Sequence, residues 1–354
     1  MNERSAHRLR GRFLHLPSAV LAGASAGAAL IGAVALDLPL RDPDNAAGPL
    51  YVRLPAIVLV LMALDVLPRV LLRPRGGGSL RAGVGEGIRK RWSAPRIKLV
   101  IAGLLSFYLT YVGYRNLKGF LPFAREGTSD ASLLALDRSL GLGTEPSTVL
   151  HALLGTGTAA HFLSVVYVAF LLFVPLSLGM ALVWSRHVRS GYLYVTVLCL
   201  NWLLGALSYY LLPSLGPVFA QPELFAQLPE TPVSRLQETL ASDRDIVLDD
   251  PFASERAHGI AGFASLHVSI VFSAALVAHV IGLRREVRIG LWLFLLLTVI
   301  STIYFGWHYL IDDVAGLCLG ALAVWLGARV TGHPIGSRAR SRWTRPPDLV
   351  GARG

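Results

Sequence analysis

Long apolar runs separated by short polar stretches make up most of the chain. A bilayer core asks for about 20 mostly apolar residues per helix. Runs of that kind fall at roughly 17–36, 54–72, 97–117, 159–184, 191–212, 266–283, 289–306 and 309–330. The pattern predicts an all-α fold, a polytopic membrane helical bundle of about eight transmembrane helices. The first run follows Arg4, Arg8, Arg10 and Arg12, as a signal peptide's would. It is longer than an h-region of about 7–15 residues, so it reads as a span.

Two segments between runs do not read as spans. Residues 129–155 alternate apolar and polar positions at helical spacing, which predicts one or two short interfacial helices. Residues 213–265 open on Pro213-Ser214-Leu215-Gly216-Pro217 and carry many acids. They read as a long loop with a short amphipathic piece near 232–241. A loop of that length is more often functional than idle. There is no repeat of fixed period, and Gly76-Gly77-Gly78 reads as a hinge.

Composition narrows the class. Of 354 residues, 53% are hydrophobic and only 16% charged. A water-facing domain carries about 25% charged residues, so an ordinary soluble enzyme, a disordered tail protein and a coiled coil are excluded. The net charge of +11 is distributed unevenly. Arg and Lys collect before the first run, in 73–98, at Arg186 and Arg189, at Arg284, Arg285 and Arg288, and in the tail from Arg338. Acids dominate the alternate loops. The positive-inside rule then places both termini in the cytoplasm and turns loops 118–158 and 213–265 outward. The expected location is a bacterial plasma membrane, with the site extracytoplasmic. The cytoplasmic arginines read as orientation signals and anionic-lipid contacts worth about 1 kcal/mol each, and nucleic-acid binding has no support. Cys199 and Cys318 lie inside apolar runs and offer neither a disulfide framework nor a zinc site.

Ionisable residues at span boundaries are costly and point to function. Three clusters qualify. Arg115 and Lys118 are i and i+3, so both cations share a helix face beside Tyr111 and Tyr114 and suit a phosphate. The competing reading is a pair of snorkelling anchors. Ser265-Leu266-His267 opens a run after Gly259 and Gly262, where free backbone N–H groups make an anion site. There His267 is an acid, a base or merely a polar cap. The third cluster pairs His308 with Asp312 at i+4, which stacks a carboxylate beside the imidazole. Asp313 points about a quarter-turn away, so Asp312 is the better partner. Polar glue between helices is the plainer alternative.

The predicted topology brings the three clusters to one leaflet boundary. The chemistry they spell is phosphoryl transfer: cations and amides hold a phosphate, His308 attacks phosphorus, Asp312 stabilises the imidazolium, and His267 protonates the leaving oxygen. A divalent ion held by His267, His308, Asp312 and Asp313 competes with this, but Arg115 and Lys118 would sit badly beside it. The expectation is therefore no metal and no cofactor.

These residues resemble the type 2 phosphatidic acid phosphatase superfamily, with its basic, Ser-x-His and His-x-x-x-Asp motifs. The closer resemblance is to the branch of inositol phosphorylceramide synthases and related bacterial proteins. The residues that carry it are Ser265-Leu266-His267 and His308-Tyr309-Leu310-Ile311-Asp312 with Gly316. Branch-like features are Asp137 with Gly141 or Gly143 and Pro146, and Tyr210 with Pro213, Gly216 and Pro217. The resemblance covers roughly residues 97–330. It implies a six-helix core, metal-independent chemistry and a phosphohistidine intermediate. His308 would be the nucleophile, Asp312 its orienting partner, His267 the acid, and Arg115 and Lys118 the phosphate ligands. Two positions depart from the pattern. The Arg often found six residues before the nucleophile is Thr302, and the Pro often preceding Ser-Leu-His is Ala264. Arg256 or His258 could replace the missing ligand.

The implied organisation is 1–96 as an N-terminal segment with two extra spans and a basic loop, 97–330 as the catalytic membrane domain, and 331–354 as a basic disordered tail. The implied partner is a membrane lipid substrate: a lipid phosphate, phospholipid or polyprenyl phosphate. Headgroup transfer and hydrolysis both remain open. The contrasting reading is a non-catalytic carrier in which the same residues only hold a lipid-phosphate or polyprenyl-phosphate headgroup.

Overall fold

The computed structural model describes residues 14–43, 50–71, 80–185, 188–253 and 259–334. Their regular structure is all helical, with no strand among the described residues. The helices are α1 (Leu16–Leu36), α2 (Leu50–Leu71), α3 (Leu80–Arg91), α4 (Ala94–Ala124), α5 (Asp130–Leu140), α6 (Pro146–Leu154), α7 (Thr158–Gly179), α8 (Val188–Leu211), α9 (Pro232–Asp249), α10 (Leu266–Val280), α11 (Arg285–Tyr304) and α12 (Leu310–Thr331). A π-helical turn, Met180–Trp184, extends α7.

Among the described residues, six helices are long and apolar enough to cross a bilayer: α1, α4, α7 with its π turn, α8, α11 and α12. The chain is an integral membrane protein built as a polytopic bundle. Of the eight expected spans, α10 is shorter than that, whereas α2 has 22 residues, about 33 Å. α10 has 15 residues, about 22 Å at 1.5 Å per residue. It is buried among α8, α11 and α12, so protein rather than lipid surrounds most of it. α2 carries the buried Asp65, which accepts a hydrogen bond from Trp92 Nε1 at 3.1 Å.

Helix α4 is longer than its apolar run. Its 31 residues give about 46 Å, and Arg115 and Lys118 lie well inside it rather than at its end. α1 packs along α4. The Ser25 hydroxyl donates to the Thr110 carbonyl, and Asn116 exchanges two 2.8 Å hydrogen bonds with the Arg41 backbone. At the far end of the bundle, Arg96 donates to the Val183 and Ser185 carbonyls. Arg189 does the same for Thr331 and Gly332. These two arginines satisfy orphan carbonyls where the π turn and α12 end.

The amphipathic segment forms two helices, α5 and α6. The piece expected near 232–241 extends to Asp249 as α9, opened by a Thr231–Ser234 capping box.

Candidate active site

The nucleophile candidate sits on a short connection between α11 and α12. Gly306 has φ +66°, a left-handed turn, and its Cα stands over the Phe225 ring so closely that a Cβ would lie 2.3 Å from Cζ. Trp307 and His308 follow, and Leu310 starts α12. Two carboxylates from α5 hold this start. Asp137 accepts the N–H groups of Leu310 (2.8 Å) and Ile311 (3.1 Å). Asp130 accepts from Leu215, Gly216 and the Tyr309 hydroxyl. An anion here also complements the helix dipole. Burial pushes the Asp137 carboxyl up, against the pull of its two N–H donors.

His308 is buried, and Asp312 Oδ2 lies 3.6 Å from its Nδ1. That places the carboxylate beside the ring, as i+4 spacing implies, at a distance too long for a hydrogen bond. Asp312 Oδ2 instead accepts the Tyr309 N–H at 3.0 Å. On the other side of the ring, His308 Nε2 is 2.9 Å from His267 Nδ1, and His267 Nε2 is 3.0 Å from the Tyr167 hydroxyl. Two proton arrangements, opposite in direction, satisfy the line, and one of them leaves the His308 Nε2 lone pair available to react. In that one, Tyr167 donates to His267 Nε2, His267 Nδ1–H donates to His308 Nε2, and His308 carries its proton on Nδ1 facing Asp312.

The second motif divides its labour. Ser265 is fully buried; its N–H donates to the Asp312 carbonyl at 2.9 Å, and its hydroxyl accepts from Val268 as the α10 N-cap. This amide, expected to be free for phosphate, is engaged within the fold. The join is tight, since a Cβ on Gly316 would lie 2.4 Å from the Ser265 carbonyl oxygen. Leu266 and His267 face a cavity instead. Thr302 donates to Asp313 Oδ2 at 3.1 Å, so the position that departs from the motif ties α11 to α12.

That cavity, about 1030 Å³, gathers the remaining candidates. His267, His308, Lys118, Arg115, Tyr111 and Tyr114 all line it. Lys118 Nζ lies 5.4 Å from the Tyr209 ring centroid, and Arg115 lies 5.9 Å from that of Tyr111. Tyr114 is buried, its hydroxyl 3.2 Å from that of Tyr209. Arg256 and His258 lie outside the described residues. Among the described residues, no group of three or more His, Cys, Asp or Glu side chains is arranged to hold a metal.

A family model described as the PAP2 superfamily matches residues 131–326, more than half of the chain. The chain belongs to the PAP2 superfamily. Members are phosphatases and phosphotransferases, which supports an enzyme of that general type here. The match takes in both the Ser265–His267 and His308–Asp312 segments of this superfamily member, and begins after Arg115 and Lys118. Neither the curated proteins nor the solved structures include a match to the chain.

Two contributors were not singled out from sequence. Tyr167 comes from mid-α7, where an apolar run hides a tyrosine. The other is Asp130, which shares its work at this site with Asp137. Their i, i+7 spacing on one face of α5 was the available signal.

Proposed function

We propose that the protein is a membrane-embedded, metal-independent phosphotransferase or phosphatase acting on a lipid phosphate or phosphodiester through a phosphohistidine on His308. The observation that carries this reading is the Tyr167–His267–His308–Asp312 line meeting Lys118 and Arg115 at one end of an otherwise apolar cavity. The cations hold the phosphate oxygens, with Arg as a fork and Lys as a point charge. The lone pair of His308 Nε2 attacks phosphorus while the bond to the leaving oxygen breaks. His267, which takes up a proton together with the phosphate and is then an imidazolium, delivers that proton to the oxygen and returns to the neutral ring. Asp312 offsets the charge that develops on the His308 ring. Water or an acceptor alcohol then attacks the N–P bond, losing its proton to His267, and His308 is regenerated.

Loop charge supports a site on the extracytoplasmic side, in what we read as a bacterial plasma membrane, with both termini and their anionic-lipid contacts in the cytoplasm. The resemblance to the inositol phosphorylceramide synthase-like branch favours transfer of a phospho-headgroup, such as inositol phosphate, to a lipid or sugar acceptor.

The test is a labelled lipid phosphate incubated with purified protein in lipid nanodiscs. Label is expected on His308, with turnover that tolerates chelator and is inhibited by vanadate. Comparing free phosphate with product lipid separates hydrolysis from transfer. Turnover that survives His308→Ala and His267→Ala together would overturn the mechanism.

A further inference from the structure

The cavity continues far beyond the histidines. Along α4 its lining runs from Lys118 to Leu104, 14 residues or about 21 Å at 1.5 Å per residue. Along α7 it runs from Tyr167 to Gly179, about 18 Å on the same rise. One leaflet of hydrocarbon is only about 15 Å deep, half of a core of about 30 Å. Every charged or histidine side chain in the lining lies at one end, and the remainder is apolar or aromatic.

Helix α2 builds the far part. Ala56, Ile57, Val60, Leu61 and Leu64 all line the cavity. Leu61 reaches Gly179 at the head of the π turn, where an added Cβ would meet Leu61 Cδ2 at 3.0 Å. Ile57, Val60 and Leu64 of α2, with Leu171 and Leu176 of α7, are exposed as well as lining. The flank between α2 and α7 is therefore where a chain would enter sideways.

We propose that α2 is the chain-length gauge of this site. It closes a chamber for one aliphatic chain that passes the bilayer midplane, and the Leu61–Gly179 contact sets its floor. The inference rests on the phosphate-site reading for the polar end. The occupant is the tail of the lipid whose phosphate sits there, because headgroup site and chamber are one continuous cavity. It also gives the second N-terminal apolar run a task.

The experiment uses alkyl monophosphates of graded chain length with the full-length protein in nanodiscs. Turnover is measured on wild type, Leu61→Trp, Leu61→Ala and Leu67→Trp. Leu67 is on the same helix but not in the lining. Leu61→Trp should lower the long-to-short ratio of kcat/KM about tenfold, the scale of small volume changes in an apolar pocket. Leu61→Ala should move the optimum to longer chains, and Leu67→Trp should keep the wild-type ratio. Unchanged ratios in both Leu61 variants would overturn the gauge while leaving the chemistry intact. Binding of the same series to the His308→Ala background, with and without the Leu61 changes, supplies the second arm. Chain-length dependence there without turnover in the wild type would support the gauge and sink the proposed chemistry. Absence of binding by any chain length would sink both.

Discussion

His308 Nε2 and His267 Nδ1 stand 2.9 Å apart, so the nitrogen best placed to attack phosphorus is in direct contact with the best candidate acid. The two should therefore be separable by the leaving group. His308→Ala should abolish turnover and labelling together. His267→Ala should lower the rate about 10²–10⁴-fold for a lipid alkoxide, the usual range for general acid catalysis. With an activated phenolic leaving group, which departs without a proton, the His267→Ala loss should largely vanish. Single-turnover kinetics on both substrate types check this.

Tyr167→Phe removes the donor to His267 Nε2 and keeps the ring stacked 5.1 Å from Trp307. A hydrogen bond of that kind contributes about 0.5–1.5 kcal/mol. The expected effect is a fall in kcat with little change in KM, and a displaced acidic limb in the pH–rate profile. A change confined to thermal stability would make Tyr167 only a packing residue.

Asp137→Ala leaves the Leu310 and Ile311 amides without their acceptor. Losing a helix cap costs about 0.5–2 kcal/mol, and the start of α12 carries Asp312. We expect a lower Tm and lower kcat, with Asp137→Asn intermediate because it keeps one acceptor oxygen. Thermal unfolding in detergent and steady-state rates report the two effects.

His151 predicts an acid-sensitive contact. Its Nε2 meets the Tyr304 carbonyl at 2.8 Å and its Nδ1 meets Gln227 Nε2 at 3.1 Å, an arrangement that needs the neutral ring. Burial pushes its pKa down, opposed by the Tyr304 carbonyl. A depressed histidine stabilises the fold above its ordinary value of about 6.5, and that contribution is lost as pH falls through the lower folded value. Hydrogen exchange in 146–154, corrected for intrinsic rate, should accelerate below that point. His151→Gln should flatten the dependence.

Much of the bundle was legible because apolar runs long enough to span leave little choice of structure. The clearest departure is α10, a helix of 15 residues where the apolar run counts 18. Run length alone cannot distinguish a helix bathed in lipid from one wrapped in protein, and α10 is of the second kind. At the site, His308, Asp312 and His267 are visible as short-range patterns. The contact between the two histidines joins residues 41 positions apart, and that between His267 and Tyr167 joins residues 100 apart. No spacing rule reaches such pairs. Ser265 illustrates the reverse: its motif position is plain, but the Asp312 carbonyl that takes its amide belongs to another helix.

In the mechanism proposed above, the contact between His267 and His308 would work as a bolt. A phosphorus atom can reach His308 Nε2 only by parting the rings, so arrival and unlocking are one event. A lipid anchored along a cavity of about 21 Å can hold its headgroup against that resistance.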